Sequence, residues 1–176
     1  MRLWFLLSVT ISIAFSISGC GSIASGVTGA ALDKMLEPDP TSVAARFVAT
    51  DFINPDPQNR PSPLIVRFYE LTSVGKFNEA GFFKLYEKDE DTLGKDLLER
   101  DEFQFVPGET RTFERELNPE TRYVAVMAAY RDIDQATWRT SFEVLLNEKS
   151  LLEVQLDKLA VNIEVKQECA FYDFSC

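Results

Sequence analysis

From Val43 onward, apolar and polar positions alternate with a period of mostly two, the spacing of half-buried β-strands. The run Arg46 to Phe52 is rich in Phe, Val and Thr, and Leu64 to Leu71 places Leu64, Val66 and Phe68 on one face. Glu102 to Val106 sets Phe103 and Phe105 inward, and Pro107-Gly108 supplies turn chemistry. Thr110 to Leu117 is a polar strand carrying Phe113 and Leu117, the pattern of an edge or half-exposed position. Tyr123 to Tyr130 is apolar throughout, which predicts a central strand covered on both faces. Trp138 to Leu145 is another β-rich run. In the last stretch the inward residues are the even-numbered Leu152, Val154 and Leu156, then the odd-numbered Leu159, Val161 and Ile163. A single strand cannot change faces, so Asp157-Lys158 must be a tight turn or a bulge. Seven or eight short strands with turn signals between them predict a mainly β, two-sheet sandwich.

One segment breaks this period. Phe77 to Tyr86 places Phe82, Leu85 and Tyr86 at helical spacing, with Asn78 as the predicted N-cap and Glu79 in the first turn. Phe77 and Phe82 have the separation of a hydrophobic staple. The prediction is a helix laid against the sandwich, followed by an acidic, partly helical stretch to Glu99, so the helical insertion covers about 77–99.

The N-terminus carries a different pattern. After Arg2, the stretch Leu3 to Ile17 is apolar apart from Ser8, Thr10, Ser12 and Ser16. That is short of the roughly twenty residues of a bilayer-spanning helix and right for the apolar region of a signal peptide. Ile17-Ser18-Gly19-Cys20 follows and resembles the bacterial lipobox. The resemblance implies cleavage after residue 19, a diacylglycerol on the Cys20 thiol and acylation of the new amine. An ordinary signal peptide with an incidental cysteine is the other reading. Two or more acyl chains anchor durably where one does not. Gly21, where an Asp would favour inner-membrane retention in enteric-type sorting, points to the outer membrane. Residues 21–29 are small and weakly polar and read as a tether; Ala30 to Leu36 could form one or two helical turns, stopped by Pro38 and Pro40. The division is therefore a signal peptide over 1–19, a lipidated Cys20 with its tether over 20–42, and a sandwich domain over 43–176.

Charge and composition narrow the chemistry. The 176 residues carry 18 Lys+Arg against 28 Asp+Glu, a net charge of −10, which disfavours a nucleic-acid partner. There is no histidine, so Ser-His-Asp and Cys-His catalysis, two-His zinc sites and histidine pH switches are excluded. Asp89-Glu90-Asp91-Thr92-Leu93-Gly94 has a glycine in the sixth place of a calcium loop, but Leu93 stands in the fifth and Arg100 where a bidentate Glu belongs. It reads as a solvated acidic turn. Asp132 and Asp134 fit a turn after a strand better than a glycosidase pair. With no phosphate loop, nucleophile elbow or metal-ligand cluster, the expectation is a non-enzyme without metal, small-molecule substrate or cofactor beyond the lipid on Cys20. Cys169 and Cys176 have a local disulfide as their default in an exported chain, worth roughly 2–3 kcal/mol in the chain-entropy model. It would pin a tail holding Phe171, Tyr172 and Phe174; free thiols or a two-Cys metal site are the alternatives.

The segment Asn54-Pro55-Asp56-Pro57-Gln58-Asn59-Arg60-Pro61-Ser62-Pro63 holds four of the eight prolines, between two predicted strands. A simple hairpin uses two to five residues. Proline fixes φ at four places, so the loop is partly rigid without hydrogen-bonded structure. A stiff protruding loop loses little entropy on binding, and Arg60 offers a bidentate cation. Recognition and a mere rigid connector fit these residues equally.

Asn54-Pro55-Asp56 and Arg60-Pro61-Ser62-Pro63-Leu64-Ile65-Val66-Arg67-Phe68-Tyr69-Glu70-Leu71 resemble the signature of the type VI secretion lipoprotein family TssJ, also called SciN or VasD. Phe77, Ala80, Phe82-Phe83, Leu85-Tyr86, Leu93-Gly94, Asp96-Leu97-Leu98, Glu102-Phe103, Pro107-Gly108-Glu109 and the block Ala128 to Arg139 follow the same order. The similarity runs from about Ala45 to Val165. Gln58-Asn59 depart from it, since family members often carry a glycine before the arginine. The resemblance implies a transthyretin-like sandwich with an added helical region, lipid-anchored in the outer membrane and facing the periplasm. It implies a non-enzymatic role: holding the periplasmic C-terminal domain of TssM in a membrane complex with TssL. In that family the loop between the first two strands, here Asn54 to Pro63, engages TssM. A periplasmic transthyretin-like carrier of a small apolar ligand is the alternative from another class. An envelope hydrolase is a third.

Overall fold

The computed structural model describes residues 38–166; Cys20 with its signal segment and tether, and the Cys169/Cys176 pair, lie outside the described residues. Among the described residues, eight strands form two four-stranded sheets. Strands β1 (Ser42–Ala49), β4 (Thr110–Glu116), β7 (Lys149–Leu156) and β8 (Val161–Val165) make one sheet, in the order β4-β1-β7-β8. Strands β2 (Leu64–Leu71), β3 (Leu97–Phe105), β5 (Tyr123–Ala128) and β6 (Arg139–Glu143) make the other, in the order β3-β2-β5-β6. All pairings are antiparallel except that of β1 with β7, which runs parallel from Ser42↔Lys149 to Ala49↔Leu156.

The period-two pattern places the core. Val43, Ala45 and Phe47 of β1 meet Leu64, Val66 and Phe68 of β2 between the sheets, joined by Val124 and Val126 and by Leu152, Val154 and Leu156. Phe47 stacks on Phe105 at 5.2 Å between ring centroids and touches Phe68 and Phe103; Phe113 lies 5.4 Å from Phe68. Offset and edge-on contacts at these separations add to area burial. β5 is covered on both faces, with Val124 and Val126 inward and Ala125 and Met127 beneath the helices. β4 is a sheet edge with alternate residues exposed. Asp157 begins a tight turn in which its N–H donates to Ala160 O at 2.8 Å, which explains the change of phase between β7 and β8.

The helical region departs from the expectation. It is two helices, α1 (Gly75–Glu79) and α2 (Phe82–Leu93), separated by extended backbone at Ala80 and Gly81. Asn78 lies inside α1 and caps nothing, because α1 starts after Val74. Phe77 and Phe82 form no staple: Phe77 is buried against Tyr69, while Phe82 packs edge-on to Trp138. Arg139 fixes the break by donating to Phe77 O at 2.8 Å and Ala80 O at 2.6 Å, satisfying carbonyls the interrupted helix leaves open. The acidic stretch differs too. It is α-helical to Leu93 and continues as a 3-10 turn over Gly94–Asp96, and β3 begins at Leu97 rather than Glu102, pairing Arg100 with Tyr69.

Asp89 is buried rather than solvated. It accepts from Arg100 Nη1 at 2.8 Å, Arg67 Nη1 at 3.2 Å and Tyr69 Oη at 3.2 Å. Burial opposes its ionisation, but the hydrogen bonds and charge of Arg100 and Arg67 outweigh it and hold the carboxyl below its ordinary range. Arg67 also donates to Tyr86 O at 2.8 Å, just before Lys88 leaves helical geometry. One arginine of β2 thus ties both halves of α2 to the sheet.

Candidate functional site

The chain leaves β1 at Ala49, turns at Asp51 and Phe52, and forms the proline-rich loop before re-entering at Leu64. Its base is sewn into the sandwich. Ile53 is fully buried in the core, and Ser62 N–H donates to Ile53 O at 3.1 Å, closing the loop. Asn54 is buried with φ 47°, a left-handed conformation that Asn tolerates better than most residues. Its Nδ2 donates to Pro63 O at 2.6 Å, its Oδ1 accepts from Arg131 N at 2.8 Å, and its N–H donates to Lys158 O at 3.1 Å. One side chain and its own amide therefore join the loop to two other turns.

The tip is organised by Asp56. Its Oδ1 accepts from the Gln58 and Arg60 amides at 2.9 and 3.0 Å, and its Oδ2 from Arg60 Nε at 2.8 Å. Asp56 N–H donates to Arg60 O at 2.9 Å, and Asn59 N–H to Asp56 O at 2.8 Å. The amide of Arg60, then its guanidinium, lower the Asp56 pKa from the usual carboxylate range. Two expectations change. The loop is internally hydrogen-bonded as well as proline-stiffened, and Arg60 is engaged with Asp56 within it. Asn59 has φ 59°, a left-handed conformation that Asn tolerates better than most residues.

The ten loop residues divide by exposure. Asn54 and Ser62 are buried and Pro55 and Asp56 half-buried, while Pro57, Gln58, Asn59, Arg60, Pro61 and Pro63 are exposed. Only the latter six and the flanks of Pro55 and Asp56 are open to contact.

Strand direction gathers other turns at the same end. The Ala129–Thr137 turn is held to the β7–β8 turn by Tyr130 Oη, which donates to Ala160 O at 2.6 Å and Asp157 O at 3.1 Å. Burial, then the nearby Asp157 charge, push the Tyr130 hydroxyl upward, so it stays a donor. Thr137 N–H donates to Leu159 O at 2.9 Å. Asp132 and Asp134 lie in this turn, as expected. The β3–β4 turn also arrives here: Gly108 has φ 76°, a left-handed conformation that favours glycine, and a Cβ on it would press on the Asp51 carboxylate at 2.8 Å. Between the loop and its neighbours lies an open groove of about 480 Å³, lined by Pro55, Asp56, Pro57 and Asn59 on one side and Arg131, Asp132, Lys158 and Leu159 on the other. A smaller hollow shares Pro55, Asn59 and Lys158 and adds Phe52. Phe52 is 66% exposed, and Val106 is exposed nearby in sequence to Gly108. The alternation of β1 reads Phe52 as part of a strand; its place outside the core is set by the chain leaving the sheet at Ala49. Arg131, Lys158 and Leu159 were equally hidden, because only tertiary structure brings them to the loop.

These features define a β-sandwich with a helical plate over one sheet and a stitched, protruding loop at one end, a scaffold that presents a preset surface. The family model of the type VI secretion lipoproteins (VasD, EvfM, TssJ) matches residues 41–159. The chain belongs to that family. It is similar to the type VI lipoprotein TssJ1 from Pseudomonas aeruginosa, with 39% identity and a TM-score of 0.71 over 73% of this chain and 98% of that one. It is similar to Serratia marcescens Lip, described as a membrane-bound component of the type VI secretion system, with 25% identity and a TM-score of 0.67 over 73% and 99%. A chain in a structure described as the TssM C-terminal domain from EAEC shares the fold, at 19% identity and a TM-score of 0.59 over 70% and 98%. No curated protein matches the chain.

Proposed function

We propose that this lipoprotein is anchored in the outer membrane by acyl chains on Cys20, faces the periplasm, and docks the periplasmic C-terminal domain of TssM through the exposed part of the Asn54–Pro63 loop. TssL completes the membrane complex in this reading, and the protein's role is structural rather than catalytic. The observation that carries it is the loop itself: a tip closed by Asp56 and Arg60, standing on a base fixed by Ile53, Asn54 and Ser62. Such a tip has little conformational freedom left to lose on binding. Phe52 beside it supplies an exposed aromatic of the kind enriched at interface centres. The polarity of β1 supports the arrangement. Residues 38–41, which lead from the tether, enter at one end of the strand, and the loop leaves from the other, about 25 Å away for eight residues.

The small-ligand carrier has weaker support. The space between the sheets is filled by the Phe47, Phe68, Phe103, Phe105 and Phe113 cluster, and the grooves described above lie at the surface.

The test is a pull-down of the TssM periplasmic domain by the full chain in detergent, with and without residues 56–61. Loss of capture with a nearly unchanged melting temperature supports the reading. Unchanged affinity on deletion overturns the loop assignment.

A further inference from the structure

The groove beside the loop has a charge character that the whole chain does not share. Arg131 and Lys158 line it, and neither side chain has an ion-pair partner among the described residues. Asp56 is already neutralised by Arg60 at 2.7 Å, which leaves two cations against the one carboxylate of Asp132. This stands on a protein of net charge −10. The cations are also held in place from below: Asn54 accepts from the Arg131 amide and donates to the Lys158 carbonyl, so one buried residue fixes both backbones relative to the loop. Between them the wall is apolar, formed by Pro55, Pro57 and Leu159.

We infer that the partner enters this groove with an acidic segment, its carboxylate pairing with Arg131 and Lys158 while an adjoining apolar side chain rests on Pro55, Pro57 and Leu159. The inference rests on the docking reading above and adds the chemistry the partner must bring. Cations at the rim of a groove act chiefly on the association rate and on its sensitivity to salt. The surface is thus bipartite, with a rigid loop for shape and a basic groove for charge.

The experiment measures association and dissociation of the TssM periplasmic domain on the full chain in detergent, at about 0.05 and 0.5 M salt. Four variants are compared with wild type: deletion of residues 56–61, the double reversal Arg131→Glu/Lys158→Glu, the double reversal Lys84→Glu/Lys88→Glu on α2, and Asn54→Ala. The first reversal is expected to weaken binding about tenfold at low salt, mainly through slower association, and to flatten the salt dependence. The α2 reversal, which changes net charge equally, is expected to leave both unaltered. Asn54→Ala is expected to keep the salt dependence while weakening binding, since it frees the Arg131 wall and the loop base without removing charge. Wild-type affinity and salt slope in Arg131→Glu/Lys158→Glu, with binding abolished by the loop deletion, would overturn the inference and leave loop docking intact. Equal weakening by both reversals would overturn it as well, since net charge alone would then be at work. Absence of binding by the wild-type chain would overturn both.

Discussion

Asn54 and Asn59 illustrate how two residues of one type hold one loop by different means. Asn54 satisfies three backbone groups from three segments while buried. Replacing it by alanine leaves the Arg131 amide and Pro63 carbonyl without these partners, at a cost of about 1–3 kcal/mol, to be read from denaturant unfolding. Asn59 contributes backbone conformation, at φ 59°. Asn59→Gly is expected to be neutral, whereas Asn59→Val forces a β-branched residue into the left-handed region and should destabilise by about 1–3 kcal/mol. Asp89 gives a pH prediction. Its carboxyl titrates lower in the folded than in the unfolded state, so as acid is added the unfolded chain takes up the proton first. Its contribution is complete above the ordinary aspartate pKa and fades as pH falls through the lowered folded value. Asp89→Asn should therefore be less stable near neutrality and show a shallower acid limb, measured by thermal melts between about pH 2 and 7. None of these roles was legible in the sequence. Arg131 lies 77 residues beyond Asn54, and the arginines that bury Asp89 come from two different strands. A string of acidic residues looks solvated until its partners are known.

At the scale of elements, alternation was a faithful guide wherever one face of a strand is buried and the other is not. The edge position of β4, the double burial of β5 and the turn between β7 and β8 all follow from the order of side chains. It failed at boundaries decided by tertiary contacts. The first strand ends at Ala49 rather than Phe52, and β3 begins at Leu97 because Glu99 and Arg100 pair with Glu70 and Tyr69. The single expected helix became two because Arg139 caps the broken end from β6, a contact without local signature. The helical plate is held by Phe77, Leu85 and Leu93 against Tyr69, Leu71 and Met127. Phe77→Ala should destabilise by about 3–5 kcal/mol in equilibrium unfolding, through lost burial and the cavity left behind. At temperatures where the variant is folded, affinity for TssM should be unchanged, since α1 lies on the outer face of the sheet.

For the whole molecule, the proposed docking surface lies at one end of the sandwich, where the loop leaves β1. The family, the sandwich and the position of the loop were legible because they reside in strand pattern and contiguous motifs. The breadth of the surface was not, because Arg131, Lys158 and Leu159 meet the loop only after folding and Phe52 reads as part of the first strand. The entry end of the sandwich has its own exposed apolar residues, Leu145, Leu146 and Val165, which makes the choice of end a real one. Hydrogen–deuterium exchange of the full chain in detergent, alone and bound to the TssM periplasmic domain, distinguishes the two ends directly. New protection is expected at Phe52, at Gln58 to Arg60 and in the turns containing Arg131 and Lys158, with residues 144–151 unchanged. Protection confined to residues 144–151 or to α2, with the loop exchanging as in the free protein, would contradict docking through the loop.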